Sequence, residues 1–273
     1  MSRGQGAGGS GRQTILAVTL CLFVQVCDVP AAQDARRVPG GVEGPLPDQQ
    51  SLFVATRDNL ARAEREQRFF AYKERRSEIR TNPFGRLGTG PLRVYDVVPL
   101  TDGPGFTRRL IERDGKPVVN AEVERFGTRG GARRAGRSRL DDALAALDFK
   151  LDRREWVAGR PLIVVKFTPR AGARPETRAG RLAHSFVGDL WVDEELEEIV
   201  RAEATAIENI AFGYGLIARL NKGTRVSVTR RQIEPNLWLP VSVKFQGQGR
   251  AMMIRKLVID FSTDWFDYRR VAR

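Results

Sequence analysis

The sequence has almost none of the residues that build metal centres and disulfide bridges. Both cysteines, Cys21 and Cys27, lie near the start of the chain, and His184 is the only histidine. Zinc sites are built mainly from cysteine and histidine, and a disulfide stabilises a secreted domain only when its cysteines remain in the mature chain. We therefore predict no metal ion, no cofactor and no disulfide.

The residues for nucleophilic catalysis are also missing. No G-x-S-x-G sequence occurs, and Ser185 directly follows His184. A nucleophile needs a base within reach and a group that orients the base, whereas adjacent residues of a strand point to opposite faces. The sequence predicts no catalytic residue, and a hydrolase is kept as a third interpretation only.

No apolar run is long enough to span a bilayer comfortably. The apolar residues 15–26 follow Arg3 and Arg12 and precede the small-residue sequence Val29-Pro30-Ala31. This order is typical of a secretory signal peptide, so we expect residues 1–31 to be removed on export to the periplasm. An uncleaved membrane anchor and a lipid-modified cysteine are the alternatives.

The charge is strongly unbalanced. The chain carries a formal net charge of +13, and loss of residues 1–31 leaves 44 basic and 32 acidic side chains, a net charge of +12. A basic surface attracts nucleic acid, anionic membranes or acidic proteins. An exported chain rarely meets nucleic acid, so we expect an anionic membrane surface or an acidic protein partner.

Hydrophobic periodicity predicts one long helix followed by many strands. Residues 32–47 are rich in glycine and proline and predict a flexible tether. Apolar residues then recur every three or four positions over 50–67, the pattern of an amphipathic helix that Asp48 or Ser51 caps. From Phe70 the period changes to two, with turns at Asp114-Gly115 and at 157–160. The last strand is expected near 252–261, before a polar tail.

These patterns predict an α+β fold that is mainly antiparallel β. We expect residues 48–273 to form one domain: a curved half-barrel sheet of about nine to ten strands, with a long amphipathic helix and shorter helices on its concave face. Strands in which apolar and polar residues alternate form a sheet with one face packed on the core and the other in solvent.

One hairpin carries a family resemblance. The sequence Gly188-Asp189-Leu190-Trp191-Val192-Asp193, followed by Val200-Arg201-Ala202-Glu203, resembles the LWVD…VR-x-E hairpin of the LolA/LolB-like superfamily of periplasmic lipoprotein-sorting proteins. The signal peptide, the early helix and the run of strands fit the same layout. The resemblance implies a half-barrel that carries acyl chains in an apolar cavity, without catalysis.

The strand over 199–207 suggests where such a cavity lies. We expect Val200, Ala202, Ala204 and Ala206 to share one face, because side chains alternate along a strand. Small residues on an inner face leave volume, so either a helix packs close to them or a cavity opens there. The residues expected to line the cavity or its cover are Ala202, Ala204, Phe212, Tyr214, Leu216, Ile217, Val226, Val228, Leu239, Val243 and Phe245.

The segment 210–218 is apolar and contains Gly213 and Gly215, although it connects two strands. A solvated loop rarely has this composition. We expect it either to cover the groove as a lid or to pack as a short core helix.

Two charged segments remain. Residues 127–139 contain five arginines and four glycines, and we expect a mobile insertion whose Arg129, Arg133, Arg134, Arg137 and Arg139 contact anionic headgroups or remain solvated. The acidic cluster 193–198 is expected to be a solvated hairpin turn, with a calcium site as the alternative.

The sequence therefore predicts a monomeric, non-enzymatic periplasmic carrier of lipid or lipoprotein acyl chains. The second interpretation is a sensor or interaction module on the same fold that reports to a membrane partner. A carrier needs an apolar cavity, whereas a sensor uses an exposed edge strand or surface patch.

Overall fold

The computed structural model describes residues 44–81, 87–101, 103–127, 139–212, 218–251 and 255–271. Over these ranges the chain folds into one open, curved antiparallel sheet with three helices. This confirms the expected fold class. Among the same residues, no helix combines the length and apolar character needed to cross a membrane.

The helices are named α1–α3 and the strands β1–β15 in chain order. The helices span Gln49–Gln67, Arg139–Ala145 and Arg178–Ala183. The strands span Phe70–Thr81, Leu87–Thr89, Arg93–Pro99, Gly105–Arg113, Lys116–Pro117, Val123–Gly127, Leu147–Val157, Arg160–Pro169, Phe186–Asp193, Ile199–Ala206, Ile210–Phe212, Ala218–Leu220, Arg225–Glu234, Leu237–Ala251 and Arg255–Arg270.

The main path of the sheet runs β5-β4-β3-β1-β15-β14-β13-β10-β9-β8-β7. The first strand thus pairs with the last, which places β1 and β15 in the middle of the sheet. Strands β2, β6, β11 and β12 attach beside this path, so the described residues form fifteen strands. The expectation of nine to ten was too low, because four of these strands have only two or three residues.

Helix α1 forms where the apolar period of three to four predicted it. Asp48 caps the helix by accepting a hydrogen bond of 2.8 Å from Ser51 N, which satisfies one of the free N–H groups of the first turn. Leu52 then packs on Ile163 and Val165, while Ala63 packs on Leu239. The helix therefore lies across the sheet from β8 to β14, and the face that it covers is called the inner face below.

Helices α2 and α3 are held together by a buried carboxylate. Asp142 of α2 is 1% exposed and accepts hydrogen bonds from Thr177 N (2.8 Å), Thr177 Oγ1 (2.6 Å) and Glu176 N (3.2 Å). A Cβ at Gly180 would overlap Asp142 Oδ2, so α3 can approach only with glycine at this position. Asp142 thus joins two helices over the inner face rather than complementing the dipole of α2 alone.

One row of directly opposed residues crosses every strand of the main path. Opposed residues of an antiparallel pair share a face. The row is apolar from β7 to β14, has a hydroxyl on β15, and is cationic on β1, β3, β4 and β5. Its members are Leu151, Val165, Leu190, Ala202, Val228, Val243, Thr263, Arg76, Arg93, Arg113 and Lys116. Along this row, one half of the sheet is therefore apolar and the other half is cationic.

An irregularity in β10 changes one expected face. The register with β9 shifts between Ile199 and Arg201, so two residues of β10 oppose one of β9. The extra residue reverses the alternation, and Ile199, rather than Val200, shares the inner face with Ala202 and Ala204. The expectation that Val200 lies with the alanines is wrong for this reason.

The C-terminal segment also differs from expectation. Residues 262–270 continue β15 instead of forming a tail, and they pair with β1 from Ser262↔Ser77 to Arg270↔Phe70. Their dense charge and the irregularity near Asp267, which has a φ of 53°, hide the period of two in the sequence. Trp265 and Thr263 of this segment are buried.

The segment expected to be a lid or a helix begins and ends as strands. Residues 210–212 pair with 218–220, and β12 continues onto β14 at Gly249–Ala251. Ile210 and Leu220 are buried in the main core. Both stems therefore extend the sheet, which contradicts a core helix at these positions. Residues 213–217 lie outside the described part of the chain.

Candidate functional site

A cavity of about 220 Å³ lies between the inner face and the three helices. Its floor is formed by β7, β8, β9, β10 and β13, and its roof by α1, α2 and α3. The floor side chains are Phe149, Phe167, Phe186, Leu190, Ile199, Ala202, Ala204, Val226 and Val228, and the apolar roof side chains are Leu60, Ala63, Leu140, Leu144, Ala179, Leu182 and Ala183. The lining is thus mainly aliphatic and aromatic.

The cavity exists because the middle of its floor is built from small residues. Gly188, Ala204 and Val226 are directly opposed across β9, β10 and β13. A Cβ at Gly188 would clash with Glu203 O and lie 2.8 Å from Phe167 Cζ. The glycine therefore lets strand β10 and the Phe167 ring approach closely. The small side chain of the neighbouring Ala204 leaves space above the floor.

The polar residues of the lining fall into two groups. Glu64, Gln67 and Arg139 belong to the helices, and two of them, Glu64 and Arg139, are exposed to solvent. Arg230 lies on the floor and is 7% exposed. The cavity thus has a polar edge beside α1 and α2, and a buried cation on β13.

Arg230 is held by a network at the ends of β10, β13 and β14. Its Nη1 donates to Glu198 Oε2 at 3.0 Å and to Ile199 O at 3.2 Å, and its Nη2 donates to Trp238 O at 2.6 Å. Glu198 is 2% exposed and also accepts from Arg62 of α1 at 3.5 Å. Helix α1 is fixed to the same corner by Asn59 Nδ2, which donates to Glu197 O at 3.0 Å.

Burial dominates the titration of this network. It raises the pKa of the Glu198 carboxyl, with the charge of Arg230 opposing the shift, and it lowers the pKa of the Arg230 guanidinium, with Glu198 opposing. Burial also raises the pKa of Tyr268 well above its ordinary value, and the phenol donates to Pro240 O at 2.5 Å. A charge buried in this corner costs free energy, and any hydrogen-bond donor or acceptor that it leaves unused adds to that cost.

Four of the predicted ligand-binding residues lie together in the cavity floor. Ala202 opposes Val228, and Ala204 opposes Val226, so β10 and β13 are neighbours in the sheet. Leu239 instead packs between Ala63 and Phe70 under α1. Val243 and Phe245 belong to the adjoining main core.

The other predicted residues divide between described and undescribed positions. Phe212 ends β11, and its side chain is not among the described atoms. Tyr214, Leu216 and Ile217 lie outside the described residues, as do Arg129, Arg133, Arg134 and Arg137. Arg139 begins α2 and is exposed at the cavity edge.

The acidic turn is not the solvated cluster that was expected. Asp193 is fully buried, and its Oδ1 accepts from Leu196 N at 2.9 Å while its Oδ2 lies 2.8 Å from Arg160 Nη2. Glu194 pairs with Arg154 at 2.6 Å. These carboxylates stabilise the β9–β10 turn, because each pairs with an arginine or accepts a hydrogen bond from a backbone N–H group. No group of possible metal ligands occurs among the described residues.

His184 and Ser185 lie beside a polar cleft of about 410 Å³. Ser185 Oγ lies 2.7 Å from Glu208 Oε1, whereas His184 Nε2 lies 3.1 Å from the carbonyl oxygen of Arg170. The two side chains therefore have different partners. The glutamate opposite Ser185 was not expected from the sequence.

The sequence matches no family model and no curated protein. Its structure is similar to a domain described as an outer membrane lipoprotein-sorting protein from Vibrio parahaemolyticus, at 12% identity and a TM-score of 0.36, covering 82% of this chain and 93% of that one. A LolA superfamily protein from Nitrosomonas europaea matches at 10% identity and a TM-score of 0.34, covering 84% and 95%. The Pseudomonas aeruginosa MucA/MucB complex matches at 13% identity and a TM-score of 0.24, covering 80% and 99%.

The kind of protein that the sequence resembles is thus found among these structures. At such identities and TM-scores, the likenesses carry no argument about ligand, partner or activity.

Proposed function

We propose that this protein is a non-enzymatic, exported carrier that binds an apolar chain of a lipid or lipoprotein between its sheet and helices. The observation that carries the proposal is the apolar cavity of about 220 Å³ over Ala202, Ala204, Val226 and Val228. Ligand sites are typically concave and mainly apolar, with a few polar groups that set orientation. Arg230 and the edge residues supply such groups.

The size and chemistry of the cavity fit a chain rather than water. An apolar cavity of about 150 Å³ remains dry and binds benzene in an engineered protein, so this cavity has room for a larger apolar group. Each Å² of apolar surface removed from water contributes about 25 cal/mol. The driving force for binding would therefore come from the floor and roof side chains together.

The proposed setting follows from the start of the sequence and its charge. A signal peptide over 1–31 would deliver the chain to the periplasm, and the net charge of +12 that remains after its removal would attract the protein to an anionic membrane surface. Arginines of the segment 127–139 are proposed to make that contact, because Arg139 lies where the cavity meets solvent.

The interaction-module alternative would use an exposed edge of the sheet. Strand β7 is an end strand, and Trp156 and Val157 near its turn are 42% and 49% exposed. The same edge is protected, however. Gln49 occupies Phe149 O and Leu151 N, and β7 contains a register shift between Leu151 and Arg153. Bulges and covering groups of this kind discourage the addition of another strand. The apolar cavity therefore supports the carrier function better than this edge supports an interaction module.

Native mass spectrometry tests the carrier function. The full chain, purified from cells without detergent, is expected to retain lipid as an added mass. Ala204→Phe places a ring on the cavity floor and should abolish that mass, whereas Thr205→Phe, on the outer face of the same strand, should keep it.

Melting temperatures of both variants establish that the fold is intact. A wild-type protein without lipid, which also binds no lipid added in solution, would contradict the proposal. So would a folded Ala204→Phe protein that retains the same lipid mass.

A further inference from the structure

Arg230 has hydrogen-bond donors that its protein partners do not use. A guanidinium carries five N–H groups. The two of Nη1 donate to Glu198 Oε2 and Ile199 O, and one of Nη2 donates to Trp238 O. Among the described residues, neither the Nε–H nor the second Nη2–H makes a hydrogen bond. These neighbouring nitrogens form one edge of the guanidinium, in a side chain that lines the cavity.

The corner around Arg230 also has an excess of positive charge. Glu198 uses one oxygen for Arg230 at 3.0 Å and the other for Arg62 at 3.5 Å. One carboxylate therefore serves two guanidiniums. Glu198 thus compensates a buried charge on Arg230, which is 7% exposed, and a second charge on Arg62, whose side chain is 42% exposed. A single negative charge brought to Arg230 would balance the group.

We propose that the ligand is a long-chain carboxylate of the fatty-acid class, with its carboxylate on the Nε and Nη2 edge of Arg230 and the adjoining part of its chain in the cavity. This inference depends on the proposed binding of an apolar chain and specifies its headgroup. The planar carboxylate has two oxygens that can accept from both nitrogens at once. It also carries the one charge that the corner lacks.

A phosphomonoester headgroup fits the same corner less well. A phosphomonoester carries about 1.5 to 2 negative charges at neutral pH, which exceeds the single excess charge around Arg230. The cavity lining beside Arg230 includes the apolar residues Ile199 and Pro240. The geometry therefore favours a monoanion with a flat head.

The wild-type protein alone can test the headgroup. Binding of hexadecanoate, 1-hexadecanol and methyl hexadecanoate to the full chain is measured at pH 8, where the carboxylate is ionised. The three probes have the same chain and differ at the head. Hydrogen bonds between charged partners are stronger than neutral ones, so hexadecanoate is expected to bind at least about ten-fold tighter than either neutral probe.

Substitutions test whether Arg230 is the residue that makes hexadecanoate bind more tightly than hexadecanol. Glu198→Gln raises the local positive charge and should increase the hexadecanoate-to-hexadecanol affinity ratio. The double variant Arg230→Met with Glu198→Gln removes both buried charges together, because Arg230→Met alone would leave the buried Glu198 with only the partly exposed Arg62 at 3.5 Å. In the double variant the ratio should fall to about one. Arg201→Met, which removes a cation from the outer face of β10 where Arg201 stacks on Trp191, should leave the ratio unchanged.

The outcomes separate the two proposals. Equal affinities for acid and alcohol in the wild-type protein would overturn the carboxylate inference and leave apolar-chain binding in place. A ratio that survives in the folded double variant, or that is lost in Arg201→Met, would overturn it as well. If no probe of the three binds, the proposed carrier function fails together with the inference.

Discussion

Asp142 is the residue on which the packing of two roof helices depends. Its carboxylate accepts three hydrogen bonds from Glu176 and Thr177 while 1% exposed. Asp142→Ala would leave these donors buried without an acceptor, which costs about 1–3 kcal/mol or more. We expect the free energy of unfolding, measured in urea, to fall by about 2–3 kcal/mol.

The neighbouring Asp141 is a suitable control for that measurement. It pairs with Arg57 at 2.7 Å on the surface, where an ion pair contributes less than about 1 kcal/mol. Asp141→Ala should therefore have a small effect. Equal losses from the two substitutions would contradict the anchoring role of Asp142.

Some residues of the cavity could be predicted from the sequence and others could not. The alternation in the sequence puts Val226 and Val228 on one face, and the sheet pairs them with Ala204 and Ala202. The same alternation puts Arg230 on that face, and a charged residue in an apolar face is a signal of a buried polar site. Its partner Glu198 could not be identified, because the acidic run around it is also typical of a solvated turn.

At the scale of elements, the cationic end of the inner row is a source of instability. Arg93 of β3 directly opposes Arg76 on one side and Arg113 on the other, and Arg113 opposes Lys116. Like charges at opposed positions destabilise a sheet, whereas opposite charges contribute about 0.2–1 kcal/mol per pair. Arg113→Glu should therefore increase stability, by up to about 1 kcal/mol at low salt.

Salt and a second substitution check this prediction. The gain should shrink at high ionic strength, because exposed charges are screened. Arg109→Glu, on the other face of β4, would instead oppose Asp96 and should destabilise the protein. Urea midpoints of both variants at low and high salt provide the comparison, and a gain for Arg109→Glu would refute the charge argument.

Elements that depend on a local sequence pattern were predicted better than strand pairings between distant parts of the chain. The turn at 157–160 was predicted because Ala158 and Gly159 join two alternating runs, and both adopt positive φ, at 49° and 79°. The pairing of β15 with β1 joins residues nearly 200 positions apart, and no local pattern encodes it. The stems β11 and β12 have three residues each, too few to show a period of two.

At the scale of the whole molecule, the basic charge raises the question of which arginines meet a membrane. We propose that those of the segment 127–139 do so. Each basic residue near an anionic surface contributes about 1 kcal/mol, so losing four should weaken binding at least about ten-fold. The four are Arg129, Arg133, Arg134 and Arg137. Their replacement by glutamine lowers the formal net charge by four, from +13 to +9.

Net charge alone could produce the same loss, and a matched variant separates the two causes. Four other cations lie on the described surface and each pairs with a carboxylate: Arg57, Arg153, Lys166 and Arg170. Their replacement by glutamine lowers the net charge equally. Cosedimentation with anionic vesicles in low salt should show a large loss for the first variant and a smaller one for the second, because paired cations are already partly neutralised. Equal losses would mean that total charge, rather than the segment, directs the protein to the membrane.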